Sequence, residues 1–109
     1  MRQKADLKGV ALTARDQIQF SKDSIVSKTL VNKRAGTITL FAFDKDQSLS
    51  EHTAPYDAFV AVLEGIGEFS IAGKAMRVKA GQFIIMPARI PHAVQAPRRF
   101  KMLLTMIRS

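Results

Sequence analysis

The chain has 109 residues, 47% of them apolar, no cysteine, and 17 Lys and Arg against 9 Asp and Glu for a formal charge of +8. That length supports one domain with a real core and is too short for two, while the missing cysteines exclude disulfides, thiolate metal sites and cysteine nucleophiles and agree with a cytoplasmic, soluble chain. No apolar run approaches the roughly 20 residues that span a bilayer, and the cations are scattered from Arg2 to Arg108, which disfavours nucleic-acid binding and a membrane partner and favours a solvated surface.

Residues 1–23 are broken by Asp6, Lys8, Arg15 and Asp16 and carry no signal-peptide pattern; they read as an N-terminal arm, or a short helix or strand, ahead of a barrel. From Ser24 the chain becomes a series of short runs rich in Val, Ile, Phe and Thr separated by turn residues, the punctuation of strands. "SIVSKTLVN" (24–32) and "TITLFAFD" (37–44) flank "KRAG" and predict a hairpin, with Gly36 in its turn. "AFVAVLE" (58–64) and "EFSIA" (68–72) flank a "GIG" turn, and "AMRVK" (75–79), "FIIMP" (83–87), "PHAVQA" (91–96) and "RFKMLLTMI" (99–107) follow. With no helical period between them, these runs predict an all-β, antiparallel sandwich or barrel as a single domain over residues 1–109. In the last run Phe100, Met102, Leu104 and Met106 share one face and Lys101, Leu103, Thr105 and Ile107 the other, so both faces need cover.

The chain contains 2 histidines. His52 stands just before Pro55, and His92 follows the proline-bent "PARIP" loop, so each lies at a strand edge where a barrel mouth would form. No P-loop, dinucleotide fingerprint or strand-to-helix serine elbow accompanies them. Arg89, in the same loop, reads either as a clamp for an anion or as a solvated loop residue.

Over residues 46–96 the sequence resembles the cupin family, small double-stranded β-helix (jelly-roll) barrels marked by two motifs. The first runs glycine, five residues, His-any-His, three or four residues, Glu, six residues and Gly; His52 and Gly65 match it, while Asp46, Ala54 and Ala58 stand at the leading glycine, the second histidine and the glutamate. The second runs glycine, five residues, Pro-any-Gly, two residues, His, three residues and Asn; Gly81, Pro87 and His92 match, while Arg89 replaces the glycine and Ala96 the asparagine.

The resemblance implies a divalent transition metal (Fe, Mn, Ni or Zn) on three imidazoles and a carboxylate. Of that set only His52 and His92 remain, where structural zinc takes four ligands and catalytic zinc three. Asp57 joins them only if a bulge turns it inward. Two readings stand open. In the first, which the missing donors favour, the barrel binds a small molecule of unknown identity, with His52 and His92 at the mouth of a pocket lined by Phe43, Tyr56, Met86 and Met102. In the second, His52 and His92 are the residual ligands of a metal-dependent enzyme of oxygenase or isomerase type, so whether the chain is an enzyme stays undecided. A homodimer is expected in either case, because spare apolar faces, including Val26 and Leu30, need cover.

Overall fold

The structure is a computed structural model and describes residues 7–108, so the first six residues of the expected arm lie outside the described residues. Eight strands follow a single 3-10 turn at Ala14–Gln17: β1 (Ile25–Lys33), β2 (Gly36–Phe43), β3 (Ser48–His52), β4 (Asp57–Ile71), β5 (Lys74–Lys79), β6 (Phe83–Met86), β7 (His92–Gln95) and β8 (Phe100–Ile107). All pairings are antiparallel. The first half of β4 joins β1, β2, β8 and β6 in one sheet, and its second half joins β3, β7 and β5 in the other.

β4 corrects the sequence reading. The "GIG" stretch is not a turn between two strands; a 15-residue strand runs through it and changes sheets there. A register shift between Val62 and Glu64 and a φ of +76° at Gly65 make the bend. Only glycine fits that position, because a Cβ would collide with the carbonyl oxygen of Arg99, just before β8. A second correction is β3, whose residues were not read as a strand from the sequence: "SLSEH" is polar and mostly exposed, so no apolar alternation marks it.

The two sheets enclose one core. Phe43, Phe69 and Phe100 are fully buried in it with Val60, Met102 and Val94 around them, and the Phe43 and Phe100 rings stack at 4.7 Å. Each such side chain contributes about 1.5–3 kcal/mol through burial, and together they hold the curled sheets closed. The two-residue period predicted for β8 is realised: Phe100 and Met102 lie in this core and Leu104 and Met106 pack against it.

The outer face of the first sheet is covered over part of its area by residues 13–24. Ile18 is buried there with Leu40 and Ala42, and Phe20, Val26, Leu30, Leu63 and Leu103 pack around them. Val26 and Leu30 are therefore half-buried against the chain's own arm and are not the bare face that the sequence suggested. Polar bonds fix the arm in place. Lys101 Nζ donates to the Arg15 carbonyl at 2.7 Å, and Lys28 Nζ to that of Gln17 at 3.3 Å. Arg99 and Lys101 each sit 5.0 Å from the centre of the Phe20 ring. Asp44, only 8% exposed, accepts from the Asp23 amide and from Arg99 Nε, both at 2.7 Å. Farther along the same face Phe83, Ile85 and Ile107 stay 61%, 53% and 62% exposed, with the Phe59 ring stacked on Phe83 at 4.9 Å.

Candidate functional site

β3 and β7 form a short antiparallel ladder that ends in His52 opposite His92. Leu49 pairs with Val94, so on a regular ladder the residue opposite His92 would be Glu51. One extra residue on β3 shifts the phase, which places His52 against His92 on the face that carries buried Val94. The bulge thus decides which side chain meets His92.

The imidazoles converge edge to face, with ring centres 4.4 Å apart and the two Nε2 atoms at 3.2 Å. His52 Nδ1 lies 2.8 Å from the Ser50 carbonyl oxygen and His92 Nδ1 lies 3.1 Å from that of Ile90. A carbonyl oxygen only accepts, so each ring carries its proton on Nδ1 and turns the Nε2 lone pair toward the other ring. Two facing lone pairs do not bond. They are satisfied by a cation, a shared proton or a metal ion, or by a donor group of a ligand. His92 is 4% exposed, and burial, opposed by the Ile90 bond and aided by the neighbouring His52, holds its pKa below the usual 6.5.

Nδ1 anchored on a backbone carbonyl with Nε2 free is how proteins orient metal-binding imidazoles. Two nitrogens about 2.0–2.1 Å from one tetrahedral ion stand roughly 3.3–3.4 Å apart, so the observed 3.2 Å fits two positions of a coordination sphere. Among the described residues no group of three or more His, Cys, Asp or Glu side chains converges to extend that sphere. Ala58 is buried in the core, paired with Met86 on β6 and Met106 on β8. Asp57 is exposed and its Oδ1 accepts from the Ala88 amide at 2.9 Å. That carboxylate holds the "PARIP" loop.

The other residues expected at the pocket are spread over different environments. Phe43, Met86 and Met102 are 0%, 4% and 1% exposed and belong to the packed core. Tyr56 is half-buried, and its ring faces the Arg108 guanidinium at 5.4 Å. Away from the histidines, a cavity of about 620 Å³ lies between the arm and β1, lined by Leu7, Val10, Leu12, Leu30 and Leu40 among others. Lys8, Gln17, Lys28 and Thr29 also line it, and it holds neither histidine, so the convergent imidazoles are the better candidate.

The four glycine positions of the paired motifs share one conformation. Gly65 and Gly81 have φ of +76° and +90°, and the substituted positions Asp46 and Arg89 have +70° and +63°. The backbone therefore demands the left-handed region at each of them, whichever residue is present.

The fold and this spacing of site residues meet in the comparisons with known proteins. A family model for the cupin domain matches residues 39–107. The chain belongs to the cupin family. A conserved protein of unknown function from Streptococcus pyogenes is 35% identical over 100% of this chain and 96% of its own, with a TM-score of 0.90. A cupin 2 conserved barrel domain protein from Leptotrichia buccalis is 41% identical over 86% of this chain, which spans 46% of that longer protein, with a TM-score of 0.84. A cupin superfamily protein from Desulfitobacterium hafniense, 23% identical, covers 100% of both chains with a TM-score of 0.90 and shows the same fold. Among curated proteins none matches this sequence. This cupin is thus a double-stranded β-helix, as its motif spacing implies, and among its described residues no helix is long and apolar enough to cross a membrane.

What sequence reasoning missed lies in the backbone. The β3 bulge, the Asp57–Ala88 bond and the left-handed Arg89 leave no mark in residue type. The glycine positions of the motif were the one signal that could have flagged Arg89.

Proposed function

We propose that this cupin binds a small molecule at the mouth formed by β3, β7 and the "PARIP" loop, with His52 and His92 as the polar end of the site. The observation that carries this reading is the pair of Nε2 atoms 3.2 Å apart, each with its Nδ1 tied back to a carbonyl. Such a pair is preorganised to accept two bonds from outside the chain and has no partner within it. Pro87 and Pro91 flank the loop, and the bonds from Ala88 N to Asp57 and from Arg89 N to the Ala54 carbonyl, at 2.7 Å, hold it against the start of β4.

A second reading, metal-dependent chemistry of the oxygenase or isomerase type, is favoured by the same lone pairs. His52 and His92 would hold the ion, and an ion bound there would act as a Lewis acid on a coordinated ligand. With Ala54 and Ala58 at the other ligand positions, two imidazoles alone give a weakly held metal whose remaining positions go to water or ligand. Elemental analysis of untagged protein separates the two readings. Iron, manganese, nickel or zinc at one per chain that disappears in His52→Ala and His92→Ala supports the enzyme. A metal-free, folded chain that co-purifies with an organic ligand supports the binder, and a metal-free chain whose histidine resonances respond to no metabolite pool overturns both.

A second copy of the chain is proposed as the cover of the bare outer face around Phe59, Phe83, Ile85 and Ile107, since a twofold axis lets one apolar patch satisfy itself. Sedimentation at micromolar concentration should give a dimer for the native chain and a monomer for Phe83→Lys; a native monomer would sink the idea. The cytoplasm, as the site of this cysteine-free chain, is likewise part of the proposal.

A further inference from the structure

Arg89 occupies a position that the backbone has shaped for glycine. Its φ is +63°, a conformation in which a β-carbon crowds the following carbonyl. Asp46, at the matching glycine position of the first motif, needs no special account, because a short polar side chain tolerates this region by bonding locally. Ala72, at φ +52°, sits beside Gly73 in the two-residue β4–β5 hairpin, whose loop geometry calls for it. A long cationic side chain has neither reason.

Its surroundings supply one. The Arg89 amide is tied to the Ala54 carbonyl at 2.7 Å, and Ala54 is two residues from His52, at most about 7 Å of chain. Arg89 is also three residues before His92. The side chain is exposed, and among the described residues it makes no hydrogen bond, ion pair or ring contact within the chain. The neighbouring cation Arg108 is occupied, with Tyr56 under its guanidinium and the Lys33 and Arg34 carbonyls at 3.4 Å. Two carboxylates flank the mouth, exposed Glu51 next to His52 and Asp57 under the loop.

We propose that Arg89 is the specificity-determining residue of the histidine mouth, and that the ligand it selects is a small carboxylate. The inference rests on the binding reading above and names its ligand class. A planar guanidinium matches a carboxylate through two parallel bonds. With the carboxylates of Glu51 and Asp57 already beside this one cation, a singly charged ligand meets less repulsion than a phosphate dianion does. The carboxylate end docks on Arg89, and a hydroxyl or amide N–H elsewhere on the same molecule donates to the convergent Nε2 atoms.

The test is a titration of the chelator-treated protein with malonamate (one carboxylate, one amide), malonamide and inorganic phosphate, read from the imidazole resonances of His52 and His92. Malonamate should shift both rings and bind at least about tenfold more tightly than malonamide or phosphate. Arg89→Gly should lower malonamate affinity about tenfold or more and leave malonamide unchanged, while melting at or above the native temperature because glycine accepts the φ. Arg89→Lys should fall between. Malonamate binding that survives Arg89→Gly within about twofold, or equal affinity for phosphate, overturns the assignment. Rings that respond to malonamide and not to malonamate overturn the carboxylate class and leave the binding site standing. Rings silent to every probe in a folded protein overturn the proposal and the binding reading together.

Discussion

Two places in this fold bring polar groups together, and they are completed differently. Where the arm crosses the first sheet, each group has its counterpart in the same chain: Lys101 with the Arg15 carbonyl and Glu64, Asp44 with Arg99 and the Asp23 amide, the Phe20 ring between two cations. At the mouth, by contrast, both Nδ1 atoms are satisfied and both Nε2 atoms face another acceptor. The difference separates a device that holds the molecule together from one whose completion comes from outside. Polar groups closed on themselves stabilise; groups aimed at each other with the same sign wait for a proton, an ion or a ligand.

Breaking the closed site should cost most. Lys101→Ala leaves the Arg15 carbonyl without its donor in a place where Lys101 is only 5% exposed, frees the half-exposed Glu64, and should lower the free energy of unfolding by about 1.5–3 kcal/mol in urea titration. Amide exchange in residues 13–24 should rise with it, and unchanged exchange there would show that apolar packing alone holds the arm.

Acid should open the same region next. The Arg99 hydrogen bond, with the Asp23 amide, holds the Asp44 carboxyl below its usual 3.8. The unfolded chain therefore takes up this proton first as the pH drops. The stability it confers is complete above pH 3.8 and is lost as the pH falls through the lower value of the folded state. Asp44→Asn should be less stable than the native chain at neutral pH and should lack this acid limb in urea midpoints.

The open site should respond weakly and with the opposite partner state. His92→Phe should change stability by less than about 1.5 kcal/mol at pH 7.5, since it leaves no buried charge unpaired. Below the usual value of 6.5 the unfolded chain binds a proton that buried His92 resists. The native protein should accordingly lose stability as the pH falls below 6.5, and His92→Phe should show a flatter profile in the same range. A native profile already flat there would mean that the pair keeps a shared proton and that the mouth is closed on itself after all.

Smallest is the effect expected from Asp57→Asn. The Ala88 amide bond at 2.9 Å survives with an amide oxygen as acceptor, so melting should shift by no more than a degree or two, about the worth of one exposed charge. A large loss would show that the carboxylate does more than hold the loop.

How much of this was legible in the sequence follows from how local each feature is. The alternation in β8, the paired β1–β2 hairpin and the motif spacing from Asp46 to Ala96 are properties of neighbouring residues, and they announced an all-β barrel with His52 and His92 at one end. The polar β3 could not be read, because its only apolar inward residue, Leu49, makes no pattern alone. The continuity of β4 through Gly65 could not either: a glycine that bends a strand across two sheets and one that turns a hairpin look alike until the neighbour on β8 is known.

By itself, the amino-acid order determined the class of fold and the absence of the usual donors at positions 54 and 58, since side-chain chemistry is fixed by the residue. Only the tertiary structure decided that His52, and not Glu51, meets His92, because one extra residue in β3 reverses which face each side chain takes. It also decided that Val26 and Leu30 are half-buried against the arm while Phe83 and Ile107 are bare, since burial depends on what the rest of the chain lays over a strand and not on the strand's own residues.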